Sequence, residues 1–356
     1  MTADWHLHPW RICSHDGGAD RLADGIDVGR QILSIARAAN LPVVIAGDLK
    51  EVRGMWLVPV QNALLALLRE FHDIEITVLS GQHDGRADGR SGLDSLRELP
   101  NVSVIDHPCI DTSPDNECMA GYWPYQRDLT EMPAFLQEAR AQKATYLFAH
   151  AYLQAAIIGP NEIRLKKGHT IDEFGLFGKD RVFQYGFFGD IHKQQKIGNH
   201  IWYAGSPYAL KSDEQEINKG VFHVQTKNGK VIRVDPIPIE GPRFISADWS
   251  AVTAINTALP AYLKNDPDVW KGHFVKLLVN PDVDYGMLEG LRESCGTRDF
   301  QVIPIRKQKT ERRAEVHAGL PVRELLAKYV AARPPGKELN QKTVLAAGMH
   351  LFGEGK

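Results

Sequence analysis

The sequence predicts a mixed α/β protein, and two observations point to that class. Short apolar runs typical of buried strands alternate with amphipathic helical patterns over the first two-thirds of the 356-residue chain. A long hairpin pattern then follows at residues 220–239, with Asn228 and Gly229 as its turn signal. Alternation of this kind is typical of packed sheets covered by helices.

The predicted elements follow one another closely along the first 210 residues. Helical patterns lie at 24–39, 60–73, 93–99 and 132–142. Predicted strands lie at 41–48, 74–81, 102–107, 145–150, 182–190 and 201–207. Each of the four helical patterns is therefore followed by a predicted strand, which favours an α/β arrangement.

The pattern changes near residue 243. Residues 243–305 read as strand, helix, strand, helix and strand, which predicts a small α+β domain. Residues 306–313 (RKQKTERR) contain five basic residues and one acidic residue, and two short helical patterns separated by Pro334 and Pro335 come after them. We therefore divide the chain into 1–240, 241–305, a basic linker at 306–320, and C-terminal helices at 321–356.

Composition and charge exclude several classes of protein. The formal net charge of −2 gives no overall attraction to nucleic acid, so any such binding must rest on a local patch. The four cysteines form no C-x-x-C pair and indicate no disulfide framework, so a cytoplasmic location is expected. No apolar stretch approaches the roughly 20 residues of a membrane span, and no signal peptide is recognised.

Acidic, histidine or amide side chains recur where five predicted strands end. Open α/β sheets gather their chemistry at the carboxyl ends of strands. Residues two apart on an extended chain point the same way, so each D-x-H pair can present two ligands to one pocket. Mixed histidine and carboxylate ligation suits divalent transition metals. The candidate ligands are Asp4, His6, Asp48, Gln82, His83, Asp84, His150, Asp190 and His192.

The order of these motifs (D-x-H, G-D, G-Q-H-D, H and G-D-x-H) resembles that of the calcineurin-like metallophosphoesterases. Within that family, IWYAGSPYALKSDE at 201–214 resembles the SbcD-type DNA-repair nucleases and their phage relatives. The resemblance covers about residues 1–225. It implies a β-sandwich flanked by helices that forms a two-metal nuclease domain at 1–240. It also implies a DNA-binding α+β capping domain at 241–305.

The resemblance implies a site for two divalent ions, most readily Mn²⁺ and also Mg²⁺. The first ion would take Asp4, His6, Asp48 and His192, and the second would take Asp48 as a bridge, Gln82, His150 and Asp190. His83 would be the acid that protonates the leaving oxygen or stabilises its charge. Gln82 replaces the family's usual Asn and Asp190 its usual His, and both departures fall on the second ion.

The sequence leaves two alternatives open, one for the last motif and one for the first strand. The pair Asp190 and His192 can also be read as a polar turn that only closes a strand. Only three residues precede Asp4, so the first strand is either very short or begins upstream of Met1.

Four further side chains are candidate contacts to substrate phosphates. His8 and Arg11 follow the first motif, and a solvated loop is their alternative interpretation. Lys193 and Lys211 flank the last motif and can contact DNA phosphates, although single lysines are usually only solvated. The basic run at 306–313 is interpreted either as a DNA-backbone contact or as a solvated linker.

The C-terminal helices point to a partner. Two short amphipathic helices cannot bury both of their apolar stripes by themselves. The resemblance implies that they dock on the coiled-coil base of an SbcC-type ATPase, and packing on the chain's own domains is the alternative. The resemblance also implies a homodimer, for which residues 60–71 are a candidate surface that reads equally well as core.

Three functions are therefore compared. The leading prediction is a metal-dependent DNA exonuclease or endonuclease that acts at duplex ends, as the nuclease subunit of an SbcCD-like repair and recombination complex. A phosphomonoesterase or cyclic-nucleotide phosphodiesterase with the same fold is the second. The third is a non-catalytic scaffold that binds DNA ends, if the altered second site has lost its ion.

Overall fold

A computed structural model describes residues 1–9, 11–12, 19–85, 92–154, 156–158, 163–164, 168–176, 178, 180–214, 219–248, 270–279, 285–304, 322–332 and 340–351. The chain forms two compact units, Met1–Pro304 and Ile305–Lys356. The predicted division at residues 240 and 241 falls within the first unit and stays a prediction. The basic run 306–313 lies outside the described residues.

The first unit contains four described α-helices, α1 (Arg21–Ala39), α2 (Val58–Glu70), α3 (Met132–Ala141) and α4 (Tyr285–Ser294), and a 3₁₀ helix at Asp94–Glu98. Its described strands are β1 Arg11–Ile12, β2 Ala19–Asp20, β3 Val43–Ala46, β4 Ile76–Leu79, β5 Val102–Ile105, β6 Cys109–Thr112, β7 Met119–Trp123, β8 Tyr146–His150, β9 Ile157–Ile158, β10 Ile163–Arg164, β11 Tyr185–Gly189, β12 Gln195–Ile197, β13 Ile201–Tyr203, β14 Gly220–Lys227, β15 Lys230–Pro238, β16 Phe244–Asp248, β17 Phe274–Val279 and β18 Asp299–Pro304. The prediction of a mixed α/β protein is confirmed.

Two sheets form the centre of the unit. The first contains β3, β4 and β5 in parallel, and Thr2 adds a single parallel bridge to Ile45. The second has the order β12-β13-β11-β8-β7-β6, in which β7, β8, β11 and β13 are parallel and the two outer strands are antiparallel. The segment before Asp4 is therefore only a bridge-length strand.

Alternation of side chains places each sheet between two apolar layers. Ile45 and Val78 pack with α1 and α2, whereas their neighbours Val44 and Leu79 contact the second sheet. On the second sheet, Phe148 faces the first sheet in the same way, and Leu147 packs against α3. The layers therefore run helices, sheet, sheet, helix, because period-two alternation presents a separate apolar face on each side of a strand.

Most elements lie where the sequence predicts them, with a few corrections. The predicted helix at 93–99 is a 3₁₀ helix, and strands β6 and β7 were not predicted. The hairpin of β14 and β15 turns at Asn228 and Gly229, which both have positive φ angles of 52° and 69°. Positive φ at both central residues is what a type I′ turn requires.

The region predicted as a capping domain is a three-stranded sheet. Strands β16, β17 and β18 are all parallel, and α4 connects β17 to β18. The helix predicted between β16 and β17 lies outside the described residues. Residues 60–71 were the candidate homodimer surface, and one face of α2 is part of the core, because Val60, Leu64, Leu67 and Leu68 are buried. The homodimer itself stays a prediction.

The second unit contains helices α5 (Val322–Ala332) and α6 (Gln341–Leu351), which contact each other. Both fall within the predicted C-terminal helical segment 321–356, of which residues 321, 333–339 and 352–356 lie outside the described residues. Among the described helices, none combines the length and apolar character needed to cross a membrane.

A buried ion cluster joins α1 to the start of β18. The carboxylate of Asp24, 3% exposed, contacts the guanidinium groups of Arg21 and Arg298. Arg21 is itself 1% exposed, and its guanidinium lies 5.1 Å from the centre of the Tyr208 ring and 5.2 Å from that of Phe274. Because removal of one partner leaves a buried charge uncompensated, this cluster is costly to break.

We expect Asp24→Ala to lower the free energy of unfolding by about 3–5 kcal/mol, the usual cost of leaving a buried charge without its partner. Asp27→Ala on the same helix is the control, since that side chain is 70% exposed and pairs with Arg30 at the surface. The control should change the free energy of unfolding by less than about 1 kcal/mol. Urea-induced unfolding measures both, and equal effects would show that the buried cluster has no special importance.

Candidate metal centre

Four parallel strand ends and the N-terminal segment meet at one place. Asp48 follows β3, His83 follows β4, His150 ends β8 and Asp190 follows β11. The backbone amide of Asp190 donates to both carboxylate oxygens of Asp4, at 3.0 and 3.2 Å. These residues therefore lie around one pocket, and their role as metal ligands stays a prediction.

Glycines allow the strand ends to approach this closely. A Cβ atom on Gly47 would lie 2.2 Å from Nδ1 of His150, and one on Gly81 would lie 2.3 Å from Oδ1 of Asp48. Both distances are far below van der Waals contact, so any other residue at either position would displace a candidate ligand. The glycine that begins each of the G-D and G-Q-H-D motifs therefore has a steric role.

Four candidate ligands have left-handed backbone conformations. The φ angles are 55° at Asp4, 45° at His6, 53° at Asp48 and 90° at Asp190. Such conformations cost on the order of 1–3 kcal/mol each for residues other than glycine, and they concentrate at functional sites. The strain re-aims each side chain away from the strand direction and toward the common pocket.

Three imidazoles of the pocket each donate the Nδ1 proton to a fixed acceptor. His6 donates to Glu51 Oε2 at 2.5 Å, and His192 donates to Glu214 Oε1 at 2.6 Å. His150 donates to the carbonyl oxygen of Ala46 at 2.7 Å. Because carboxylate and carbonyl oxygens only accept, the Nε2 atom of each neutral ring is left with a lone pair directed into the pocket.

These lone pairs face one another and the carboxylates. The Nε2 atoms of His6 and His192 lie 3.1 Å apart. Oδ2 of Asp48 lies 3.6 Å from Nε2 of His6 and 3.4 Å from Nε2 of His150. Nε2 of His150 is buried without a hydrogen-bond partner, 3.7 Å from Oδ1 of Asp190. Nitrogen and carboxylate oxygen atoms gathered in this way can be held together either by protons or by a metal cation.

The ligand atoms form three overlapping groups, in each of which all atoms lie within 4.8 Å of one another. The groups are Asp4, His6 and His192; Asp4, Asp48 and His150; and His6, Asp48 and His83. The first matches three of the four predicted ligands of the first ion. The second joins Asp48 to His150, as predicted for the second ion, and adds Asp4.

Electrostatics also favour a cation at this point. Burial raises the pKa of Asp4 to about 7, and it raises the pKa values of Asp190 and Asp84 above their ordinary range. Although burial opposes it, the carboxylates of Asp48, Asp190 and Asp4 hold the pKa of His150 well above its ordinary value. The cluster therefore draws in positive charge, which either protons or divalent ions can supply.

His83 lies at the edge of the cluster. Its amide donates to Oδ1 of Asp48 at 2.7 Å, and its Nδ1 donates to the carbonyl oxygen of Glu51 at 2.6 Å. The ring contacts that of His6 edge-on, with 4.8 Å between the centroids. The side chain is 22% exposed, so Nε2 of His83 is reachable from solvent while most candidate ligands are buried.

Three carboxylates support the pocket in roles that the sequence did not predict. Asp84 is buried and accepts the amides of Gly81, Leu49 and Lys50, which ties together the loops after β3 and β4. Glu51 and Glu214 orient His6 and His192 as described above. Lys219 in turn contacts Glu214 at 3.1 Å. The last residue of the G-Q-H-D motif was a signal for Asp84. Glu214 ends the stretch 201–214 that resembles the SbcD-type nucleases, but the sequence analysis assigned it no role.

The other predicted site residues are placed as follows. The side-chain amide of Gln82 lies 3.4 Å from the hydroxyl of Tyr125, and its ligation of a metal stays a prediction. His8 is buried, and burial lowers its pKa to about 4, so it would meet a phosphate as a neutral ring.

The predicted cationic contacts differ in exposure. Lys193 is half-buried, and Lys211 is exposed beside a cavity of about 300 Å³ that Lys276 also lines. Arg11 begins β1, and its side chain lies outside the described residues. Substrate contacts by these three residues stay predictions.

The donor set fits divalent ions. Imidazole nitrogens held by carboxylates, together with a cluster of buried carboxylates, are typical of sites for such ions. A scan against models of known protein families finds no match to this chain, and a search of the curated proteins finds none.

We expect Mn²⁺ to stabilise the protein more strongly at pH 8 than at pH 6. The pKa of Asp4 is raised from 3.8 to about 7, so in the metal-free chain its contribution to stability is present at low pH and is lost as the pH rises through 7. Mn²⁺ needs the deprotonated carboxylate, so its binding must release protons below pH 7. Calorimetry in two buffers of different ionisation enthalpy counts those protons, and a result of zero at pH 6 would contradict this assignment.

We also expect Glu51→Gln and Glu214→Gln each to weaken Mn²⁺ binding by about 10–100-fold, the usual effect of removing the acceptor that orients a ligating imidazole. Glu70→Gln is the control, since that side chain is 46% exposed and pairs with Arg30 on the surface. Calorimetric titration gives the three dissociation constants. If all three equal that of the wild type, the two glutamates do not orient metal ligands.

Proposed function

We propose that the chain is a metal-dependent phosphodiesterase of the calcineurin-like metallophosphoesterase type, and specifically a DNA nuclease. The single observation that carries the proposal is the 3.1 Å approach of two imidazole Nε2 atoms beside the Asp48 carboxylate, in a pocket that needs positive charge. Structural stability alone does not explain such a cluster, because it is strained and electrostatically costly.

The residues would hold two divalent ions around Asp48. Asp4, His6 and His192 would bind the first, with His150 and Asp190 on the side of the second. When bound, such ions would act as Lewis acids on a phosphodiester and activate water at neutral pH. The buried carboxylates exclude bulk water from that side of the pocket, so the substrate must approach from the side of His83 and His192, whose rings are 22% and 23% exposed.

His83 would handle the proton of the leaving oxygen. Its Nδ1 proton is held by the carbonyl oxygen of Glu51, so Nε2 is the atom that exchanges a proton with substrate. The amide bond from His83 to Asp48 keeps the ring beside the cluster. A histidine suits this role because its unperturbed pKa lies near neutrality.

DNA is the favoured substrate class. The sheet of β16, β17 and β18 belongs to the same compact unit as the cluster, and Lys276 of β17 lines a cavity with Lys211. Cationic side chains at such a place can position a nucleic-acid backbone. The two C-terminal helices are proposed to bind a coiled-coil ATPase of SbcC type, which small-substrate phosphatases of this fold do not need.

The experiment compares substrates with purified full-length chain and Mn²⁺. Duplex DNA with blunt ends is tested against para-nitrophenyl phosphate and cyclic nucleotides. Preference for DNA supports the nuclease proposal, and preference for either small substrate identifies the alternative phosphoesterase. Binding of DNA ends without hydrolysis of any substrate would indicate the scaffold instead.

We expect His83→Ala to reduce the rate of phosphodiester cleavage by about 10²–10⁴-fold, the usual contribution of a general acid or base. Mn²⁺ affinity should change little, since His83 is placed as an acid and not as a required ligand. His72→Ala, an exposed histidine after α2, is the control and should cleave at the wild-type rate. If His83→Ala cleaves normally, His83 has no part in the reaction, and a loss of Mn²⁺ instead would make it a ligand.

A further inference from the structure

Arg53 lies beside the candidate acid without a carboxylate partner. One of its terminal guanidinium nitrogens is 3.4 Å from Nε2 of His83. Within the part of the chain that the structure describes, no carboxylate forms an ion pair with Arg53, whereas Arg30, Arg37 and Arg97 each pair with at least one. An exposed guanidinium is thus directed at the solvent-facing edge of the cluster.

The loop that carries Arg53 is anchored on both sides of that residue. The buried ammonium group of Lys50 donates to the carbonyl oxygens of Val52 and His83, at 2.7 and 2.6 Å. The amide of Gly54 donates to the carbonyl oxygen of Gly85 at 3.1 Å. The backbone around Arg53 is therefore fixed to the turn that bears His83, while its side chain is free to reorient.

The contact with His83 is replaceable. Nδ1 of His83 donates to a carbonyl oxygen, so the neutral ring accepts from Arg53 only through the Nε2 lone pair. A phosphate oxygen is a much stronger acceptor for a guanidinium than an imidazole is, because the bond then joins opposite charges. A guanidinium has no lone pair to offer, so it cannot itself be a metal ligand.

We propose that Arg53 is a substrate-binding residue that donates to the non-bridging oxygens of the scissile phosphate on the His83 side of the cluster. This inference rests on the proposed phosphodiesterase function and identifies the residue that holds the phosphate against the acid. Arg53 turns from Nε2 of His83 to the phosphate, which frees Nε2 to take up a proton from solvent and pass it to the leaving oxygen. The planar guanidinium can bind two oxygens at once, which an ammonium group cannot do in the same geometry.

The test uses the full chain with Mn²⁺ and three variants, Arg53→Gln, Arg53→Lys and the control Arg69→Gln. Arg69 is exposed in the last turn of α2. The measurements are kcat/KM for bis(4-nitrophenyl) phosphate and for duplex DNA, the dissociation constant of inorganic phosphate by calorimetry, and Mn²⁺ affinity. Arg53→Gln should lower kcat/KM and weaken phosphate binding by about 10–100-fold, as expected for losing a hydrogen bond to a charged group.

The other variants separate this role from a structural one. Arg53→Lys should recover part of both quantities, Arg69→Gln should match the wild type, and Mn²⁺ affinity should be the same in all of them. Wild-type kcat/KM and phosphate affinity in Arg53→Gln, or an equal loss in Arg69→Gln, would overturn the inference. If the wild type hydrolyses nothing, the proposed function is wrong, and the phosphate titration alone then decides whether Arg53 binds the anion. If the wild type also binds no phosphate, the proposed function and the inference about Arg53 are both overturned.

Discussion

The hydrogen bond from Nδ1 of His150 to the carbonyl oxygen of Ala46 joins the two central sheets where their parallel strands end. Its 2.7 Å length requires β3 and β8 to approach closely, which the absence of a side chain on Gly47 permits. The same bond consumes the Nδ1 proton, so Nε2 must face Asp48. One contact thus sets both the packing of the sheets and the polarity of the pocket between them.

Forming the pocket costs free energy of folding. Its candidate ligands combine left-handed backbone conformations with buried carboxylates whose pKa values are raised, such as Asp4 and Asp190. Burial of a charge costs several kcal/mol unless a partner compensates it. The apolar layers on either side, with rings such as Phe148 and Phe187 stacked at 5.3 Å, hold the strand ends in place despite that cost. Bound cations would offset much of the remaining repulsion, which would couple metal binding to folding.

How much of the fold could be predicted from the sequence depends on how far apart in the sequence the interacting residues are. The strand ends carrying Asp48, His83, His150 and Asp190 were predictable, because buried parallel strands are continuous apolar runs that end abruptly in polar residues. Strands β6 and β7 were not, since the segment between them is polar and β7 has no alternation, with four of its five residues buried. Secondary-structure propensity depends only on residues that are close in sequence, whereas β7 is a strand because it pairs with β8.

Within the site, the supporting carboxylates also have partners that are too distant in sequence to be predicted locally. Glu51 lies three residues after Asp48, yet its partner His6 is 45 positions away, and Glu214 reaches His192 across 22 positions. No local pattern marks such partners. Gln82 shows the converse, because its motif position predicts a ligand while its side-chain amide contacts Tyr125. An added methylene relative to asparagine extends the reach of the amide, so sequence position alone does not determine what it contacts.

The buried cluster at Asp24 links the pocket to a more distant part of the fold. Arg21 donates to the carbonyl oxygen of Ala209 at 2.6 Å, and the neighbouring Tyr208 donates from its hydroxyl to the carbonyl oxygen of Trp5 at 3.2 Å. Trp5 lies between Asp4 and His6, while Arg298, bound to Asp24, leads into β18. A continuous chain of packed and hydrogen-bonded groups therefore runs from the sheet of β16, β17 and β18 to the first D-x-H motif. Because such interiors do not deform freely, the position of that sheet and the geometry of the candidate metal ligands constrain each other.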